Sequence, residues 1–105
     1  MSDPRKATPA DRLKSARTLT ADAREKAAQE ALSLDAVMGE VMTAAAEGFD
    51  TVTLPTPKGI DLRRTTTWAA TAARLAEMGF TVEVAQRVLP DGRPTWAFVI
   101  QWRQT

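Results

Sequence analysis

The stretch LAEMGFTVEVAQRVLPDGRPTWAFVIQW, residues 75–102, decides the fold. It opens on the end of an amphipathic helix, which Gly79 closes because glycine readily adopts the left-handed conformation that follows a last helical turn. Residues 80–84 then alternate apolar and polar side chains, a period typical of a strand, which extends towards residue 88. The segment PDGRP at 90–94 is a strong turn signal. The strands on either side of it are therefore predicted to pair as an antiparallel hairpin.

The last strand of this stretch, residues 96–102, carries large apolar side chains on one face. That face consists of Trp96, Phe98, Ile100 and Trp102. We predict that it lies beneath the helices and that Trp96 and Phe98 belong to the core, since a buried aromatic cluster is usual at this spacing. The alternative for these aromatic residues, together with Trp68, is a platform on which nucleic-acid bases stack.

Upstream of residue 50 the sequence is helical in pattern. A helix is predicted to begin near Thr18 or Thr20, whose hydroxyl groups can cap it, and to end before Gly48. Because Ser33 could cap a new helix, residues 20–47 form either one long helix or two.

A short strand over residues 51–55 and a helix from Asp61 or Thr66 to Met78 complete the elements. The predicted fold is α/β (α+β), in the order helix–strand–helix–strand–strand. A helix that joins two successive strands implies a right-handed crossover. The sequence therefore predicts a three-stranded mixed sheet with the helices packed on one face.

Residues 1–17 have no clean hydrophobic period and a net charge of +3, followed by −5 over residues 18–50 and +3 over residues 51–105. We predict a polar, basic, extended N-terminal arm at 1–17, ahead of a single domain at 18–105. The arm is expected to bind neighbouring subunits. Its basic residues are Arg5, Lys6, Arg12, Lys14 and Arg17.

The composition argues against catalysis. The chain has 105 residues, the size of one domain, with no cysteine and no histidine. The commonest general base, metal ligand and nucleophile are therefore missing, and we predict a protein that is not an enzyme and that uses neither metal nor cofactor. No stretch approaches the ~20 apolar residues of a membrane span, and the N-terminus lacks the apolar run of a signal peptide. The expected location is the cytosol, or a virion assembled there, with no membrane contact.

One basic loop could hold an anion. Lys58, Arg63 and Arg64 lie with Thr65 beside the start of the third predicted element, a helix whose first N–H groups would attract phosphate. The sequence favours the simpler interpretation, a solvated loop whose threonines cap the helix, because a phosphate loop needs more glycine than this one has.

Three short runs resemble a known group of proteins. They are Ala45-x-x-Gly48-Phe49-x-x-Val52, Leu75-x-x-Met78-Gly79-Phe80-x-Val82 and Ile100-x-Trp102. Over residues 34–102 this pattern resembles small uncharacterised proteins of tailed bacteriophages. The resemblance implies a phage context, in which many such proteins are structural or accessory, and it supplies no functional residues.

The leading hypothesis is a non-catalytic structural or interaction protein, most concretely a small virion or assembly component of a tailed phage. Its partners would be protein subunits of an assembly or further copies in a homo-oligomer. The alternative is a nucleic-acid-binding or regulatory protein that uses Lys58, Arg63 and Arg64, although the net charge of +1 disfavours it. A third hypothesis is an inhibitor of a host protein that presents its acidic helix.

Overall fold

The computed structural model describes residues 8–56 and 59–103, which form three helices and a three-stranded sheet. In chain order the elements are α1 (Pro9–Ala31), α2 (Leu34–Ala46), β1 (Thr51–Pro55), α3 (Thr66–Glu77), β2 (Thr81–Val88) and β3 (Pro94–Gln101). The α+β class predicted from the sequence is confirmed, and the helical region before residue 50 consists of two helices.

The sheet has the strand order β1-β3-β2, and both pairings are antiparallel. Ile100 of the central strand lies opposite Val52 of β1 on one side and Val82 of β2 on the other. The predicted hairpin of β2 and β3 is confirmed, but the predicted mixed sheet is wrong. The reason is that β3 inserts between the two strands that α3 connects, so β1 and β2 run in the same direction without pairing.

The core lies between β3 and the helices. Phe98 and Ile100 are fully buried there, and the ring of Phe98 lies 4.3 Å from that of Trp68 in α3, centroid to centroid. Trp102 is half-buried and meets the ring of Phe80 edge-on at 6.2 Å. Trp96 is also only half-buried, so the predicted core position is confirmed for Phe98 and not for Trp96.

The first helix begins earlier than the sequence pattern predicted. Thr8 is its N-cap: the hydroxyl of Thr8 accepts from the amide of Asp11 at 3.1 Å, and the amide of Thr8 donates to the carboxylate of Asp11 at 3.3 Å. This reciprocal pair is a capping box, and Pro9 occupies the first helical position, where proline is favoured. The predicted start near Thr18 or Thr20 is therefore wrong, as is the extended conformation predicted for residues 8–17. Residues 1–7 lie outside the described residues.

The break between α1 and α2 is held by α3. Leu32 is fully buried at the break, and its carbonyl accepts a hydrogen bond of 2.7 Å from the hydroxyl of Thr71. Ser33 then caps α2 by accepting from the amide of Ala36 at 3.3 Å. The capping role predicted for Ser33 thus produces two helices rather than one.

The N-terminal two-thirds of α1 projects from this domain. Every residue from 9 to 24 is exposed, whereas Ala28 and Leu32 at the other end are fully buried. The molecule measures 59 × 31 × 19 Å and has a radius of gyration of 17.2 Å. A compact domain of this length has a radius of gyration of about 13 Å. The excess comes from a helix that extends past the sheet, and residues 9–24 are called the protruding segment below.

Candidate functional site

The basic loop, for which phosphate binding was the less favoured interpretation, lies at the start of α3, where Thr65 is the N-cap. Thr65 is buried; its hydroxyl accepts from the amide of Trp68 at 3.2 Å and donates to the carbonyl of Leu62 at 2.8 Å. Both hydrogen-bonding capacities of this hydroxyl are therefore used within the chain. Thr65 acts here as a helix cap, which agrees with the simpler interpretation of the loop.

The next amides of α3 are occupied by a carboxylate from α1. Glu25 accepts hydrogen bonds from the amide of Thr66, from the amide of Thr67 at 3.3 Å and from the hydroxyl of Thr67 at 3.1 Å. These bonds, that from the Thr66 amide above all, lower the pKa of Glu25 below its ordinary value. A phosphate at this helix start would have to displace a carboxylate that is already held there.

The side chain of Arg63 in this loop is also engaged. The Nε and Nη2 atoms of Arg63 donate to the two carboxylate oxygens of Asp61, both at 2.9 Å, and its guanidinium lies 3.9 Å from the centre of the Trp96 ring. The hydrogen bond from Arg63 lowers the pKa of Asp61. Arg64 is exposed and borders a shallow pocket with Arg24 and Glu25. Lys58 lies outside the described residues.

A wider groove separates α1 from the start of β3. Its lining includes Thr20, Arg24, Ile60, Asp61, Arg93 and Trp96. Arg93 pairs with Asp91 at 2.6 Å, and Arg103, at the far end of β3, pairs with Asp50 at 3.4 Å. Arg63, Arg93 and Arg103 are thus each paired with a carboxylate, and Arg103 lies at the opposite end of β3 from the loop.

Among residues 8–56 and 59–103, no three acidic side chains come together as a metal site. Within the same ranges, no helix is long and apolar enough to cross a membrane.

The protruding segment brings three of the predicted binding residues together on one helix. Arg12, Lys14 and Arg17 are all exposed there. Two large apolar side chains accompany them: Leu13 is exposed, and Leu19 has 70% of its surface in solvent. The sequence pattern missed the helix that displays them, although Thr8, Pro9 and Asp11 carried the signal for its start. Arg5 and Lys6, the other predicted binding residues, lie outside the described residues.

No family model, curated protein or solved structure matches the chain. Two surfaces of the described residues stand out: the groove beside Trp96, where Arg63 and Arg93 are each paired with a carboxylate, and the protruding segment, which has exposed leucines and an excess of positive charge.

The bond network of Glu25 predicts an acid-sensitive contribution to stability. Because folding lowers the pKa of Glu25, its stabilising effect is present above the ordinary pKa of a glutamate and is lost as the pH falls through the lowered value. We expect Glu25→Gln to reduce the free energy of unfolding at pH 7, and the difference from the parent chain to shrink as the pH falls. Urea titrations between pH 7 and pH 2, followed by tryptophan fluorescence, measure this.

The matched control is Glu30→Gln, which makes the same change at an exposed position of α1. This control is expected to leave both the stability and its pH dependence unaltered. Equal behaviour of the two variants across the pH range would show that Glu25 does not hold the start of α3.

Proposed function

We propose that the protein is a non-catalytic interaction protein that binds a neighbouring protein subunit through the protruding segment. The observation that carries this proposal is a capped helix whose residues 9–24 are all exposed, in a molecule 59 Å long. The phage context implied by the sequence resemblance belongs to the proposal, and its concrete form is a small virion or assembly component.

Helix energetics support a contact at this segment. An isolated helix of fewer than ~12–15 residues is marginal in water, because its ordering is not repaid by burial. The protruding segment is only slightly longer than that. All its residues are exposed, and only those at its C-terminal end, such as Thr20 and Arg24, line a groove with the rest of the described chain. A partner that covers the segment would bury its apolar surface and so stabilise the helix. The exposed Leu13 and Leu19 would contribute most of that buried apolar surface.

The charge of the segment indicates the chemistry of the partner. Its basic residues are Arg12, Lys14, Arg17 and Arg24, and its acidic residues are Asp11 and Asp22. The excess of positive charge favours an acidic protein surface, since complementary potentials speed association and select the partner. The leucines favour a protein over a nucleic acid, because contacts to phosphates would leave them uncovered.

Nucleic-acid binding is the second candidate function, and one observation favours it. Lys14, Arg17 and Arg24 are three and seven residues apart, so they share one side of α1. Such a row could follow a phosphate backbone, and binding would then weaken steeply with added salt. Glu25 and Asp61 lie beside the end of this row at Arg24 and weaken its positive potential.

Photo-crosslinking tests the two candidates directly. A photoreactive phenylalanine derivative placed at Leu19 is expected to give one specific protein crosslink in cells that contain the natural partner. The same derivative at Met42 of α2, which is similarly exposed at 62%, is the control and should give none. A product that nuclease removes would support nucleic-acid binding instead. Absence of any crosslink at Leu19 would contradict the role of the protruding segment.

Once the crosslinked partner is purified, Leu19→Ala measures the energetic contribution of this side chain. Full burial of a leucine is worth about 1.5–3 kcal/mol, so the dissociation constant should rise by about 10- to 150-fold. Met42→Ala should leave the constant unchanged, and an equal response of both variants would mean that α1 is not the contact.

A further inference from the structure

The outer edge of β2 is an open hydrogen-bonding edge. The amide of Leu89, just past β2, donates to the carbonyl of Arg93 at 2.8 Å. Because amide direction alternates along a strand, the odd-numbered residues of β2 bond β3 and the even-numbered ones point their N–H and C=O groups outward. The outward groups belong to Val82, Val84, Gln86 and Val88.

The opposite edge of the sheet is less suited to pairing. β1 has five residues and ends at Pro55, which has no amide hydrogen to donate. β2 has eight residues and no proline. Long edges without proline or other protection are the ones that pair with a further strand.

The sequence of β2 is complementary to itself. Glu83 and Arg87 lie on the sheet face away from the helices, two residues either side of Ala85. In an antiparallel pairing of two β2 strands centred on Ala85, Glu83 of each copy lies directly opposite Arg87 of the other. Shifting the centre to residue 84 or 86 separates these charges. Neither side chain forms an ion pair with another described residue.

We propose that two copies of the chain associate through β2, antiparallel and with a two-fold axis at Ala85, to form a continuous six-stranded sheet. In this register the outward groups of Val84 and Gln86 bond each other across the axis, as do those of Val82 and Val88. Glu83 and Arg87 occupy non-hydrogen-bonded pairs, in which facing side chains are closest. Ala85 lies opposite Ala85 of the other copy at the axis.

Apolar contacts on the helix side support the same arrangement. Val88 is 72% exposed, and in this register it lies opposite Val82, which packs against the core of the other copy. The association would cover an apolar side chain that the single chain leaves in water.

The helix over β2 leaves room for the second copy. α3 packs over β2, and the hydroxyl of Thr71 shows which side of α3 faces the junction of α1 and α2. The roughly opposite side of the helix carries exposed alanines at positions 69, 73 and 76. Small side chains on that flank allow the two α3 helices to approach each other across the axis. The inference concerns a different surface from the protruding segment and stands independently of the proposed function.

A charge-reversal cycle tests the pairing. The full chain is expected to have twice the monomer mass by sedimentation at millimolar concentration. E83R and R87E each place like charges face to face in both pairs, so the dissociation constant should rise at least tenfold. The double variant E83R/R87E restores complementary pairs and should return within about threefold of the parent chain.

Mixing the two single variants is the sharpest arm of the experiment. In the proposed register an E83R chain and an R87E chain complement each other at every charged pair, so the mixture should form heterodimers that neither variant forms with itself. A contact elsewhere on the molecule does not predict this complementation. Both side chains are exposed, so each variant is expected to fold. Far-ultraviolet circular dichroism is the measurement that checks this.

Two proline substitutions test whether the edge of β2 forms the contact, independently of its charged side chains. Gln86→Pro removes one outward amide from β2 without removing a bond to β3 and should abolish the dimer. Thr53→Pro makes the same change at the outward-facing edge of β1 and should leave the dimer intact. A monomeric parent chain, or a dimer that survives E83R, R87E and Gln86→Pro, would overturn the inference.

Discussion

Replacing Phe98 by alanine is expected to lower the free energy of unfolding by about 3–5 kcal/mol, the usual loss for a fully buried phenylalanine. Phe98 lies in the middle strand, between Leu54 of β1 and Val84 of β2, and its ring contacts that of Trp68 in α3. The substitution therefore removes packing against β1, β2 and α3 at the same time. Since small domains are typically stable by 5–15 kcal/mol, the variant would keep only part of its stability.

Phe49→Ala is the matched control, because it removes the same atoms from a side chain that is 58% exposed. Its cost should stay within about 1 kcal/mol, as is usual for surface positions. Urea unfolding followed by circular dichroism, at one fixed chain concentration, compares the two variants. The fixed concentration matters because association would add to apparent stability. Equal losses would mean that β3 is not the central strand.

The hairpin was predictable from sequence because its determinants are local. Gly79 closes α3, the turn residues at 90–94 follow within a few positions, and the apolar alternation on either side fixes the faces. Each of these signals acts over fewer than about six residues. Turn chemistry of this kind needs no knowledge of the remaining chain.

The order of the strands in the sheet could be predicted only by comparing the strands with one another. β3 is apolar on both faces: Phe98 is buried on one, and Ala97 on the other is buried too. The edge strands alternate with polar residues instead, such as Thr53 in β1 and Glu83 in β2. A strand that is apolar on both faces belongs in the middle of a sheet, and this contrast would have placed β3 between the other two.

The start of α1 was missed for a different reason. Hydrophobic periodicity detects the face that a helix buries, and residues 9–24 bury none. Their helix is specified by its cap, in which Thr8 and Asp11 bond each other's amides. The capping residues were therefore the sequence signal for this helix, and hydrophobic periodicity was not.

The contact between Glu25 and the amides at the start of α3 could not be predicted from local sequence. Glu25 reaches the start of α3 across 41 residues of chain, and nothing near Thr66 indicates that a carboxylate will arrive there. The sequence correctly predicted that a threonine of this loop caps α3. What it lacked was the fold, which brings an α1 carboxylate to the very amides that an anion would use.

Leu62→Ala is expected to lower the free energy of unfolding by about 2–5 kcal/mol, the range for a buried leucine that leaves a cavity. Leu62 is fully buried in the connection between β1 and α3. Its carbonyl accepts from both the amide and the hydroxyl of Thr65, at 3.3 and 2.8 Å. The side chain thus anchors the loop from which Arg63 reaches Trp96.

Leu19→Ala makes the identical change in the protruding segment and should cost less than about 0.5 kcal/mol, since alanine is the better helix former and little surface is buried there. Thermal unfolding of both variants at the same concentration gives the comparison. Amide exchange at Thr66 and Trp68 separates two ways in which Leu62→Ala could act. If these amides lose protection while the global stability is kept, the loop opens locally and α3 survives without it. If global stability and protection fall together, the anchor of the loop is part of the same cooperative core as Phe98.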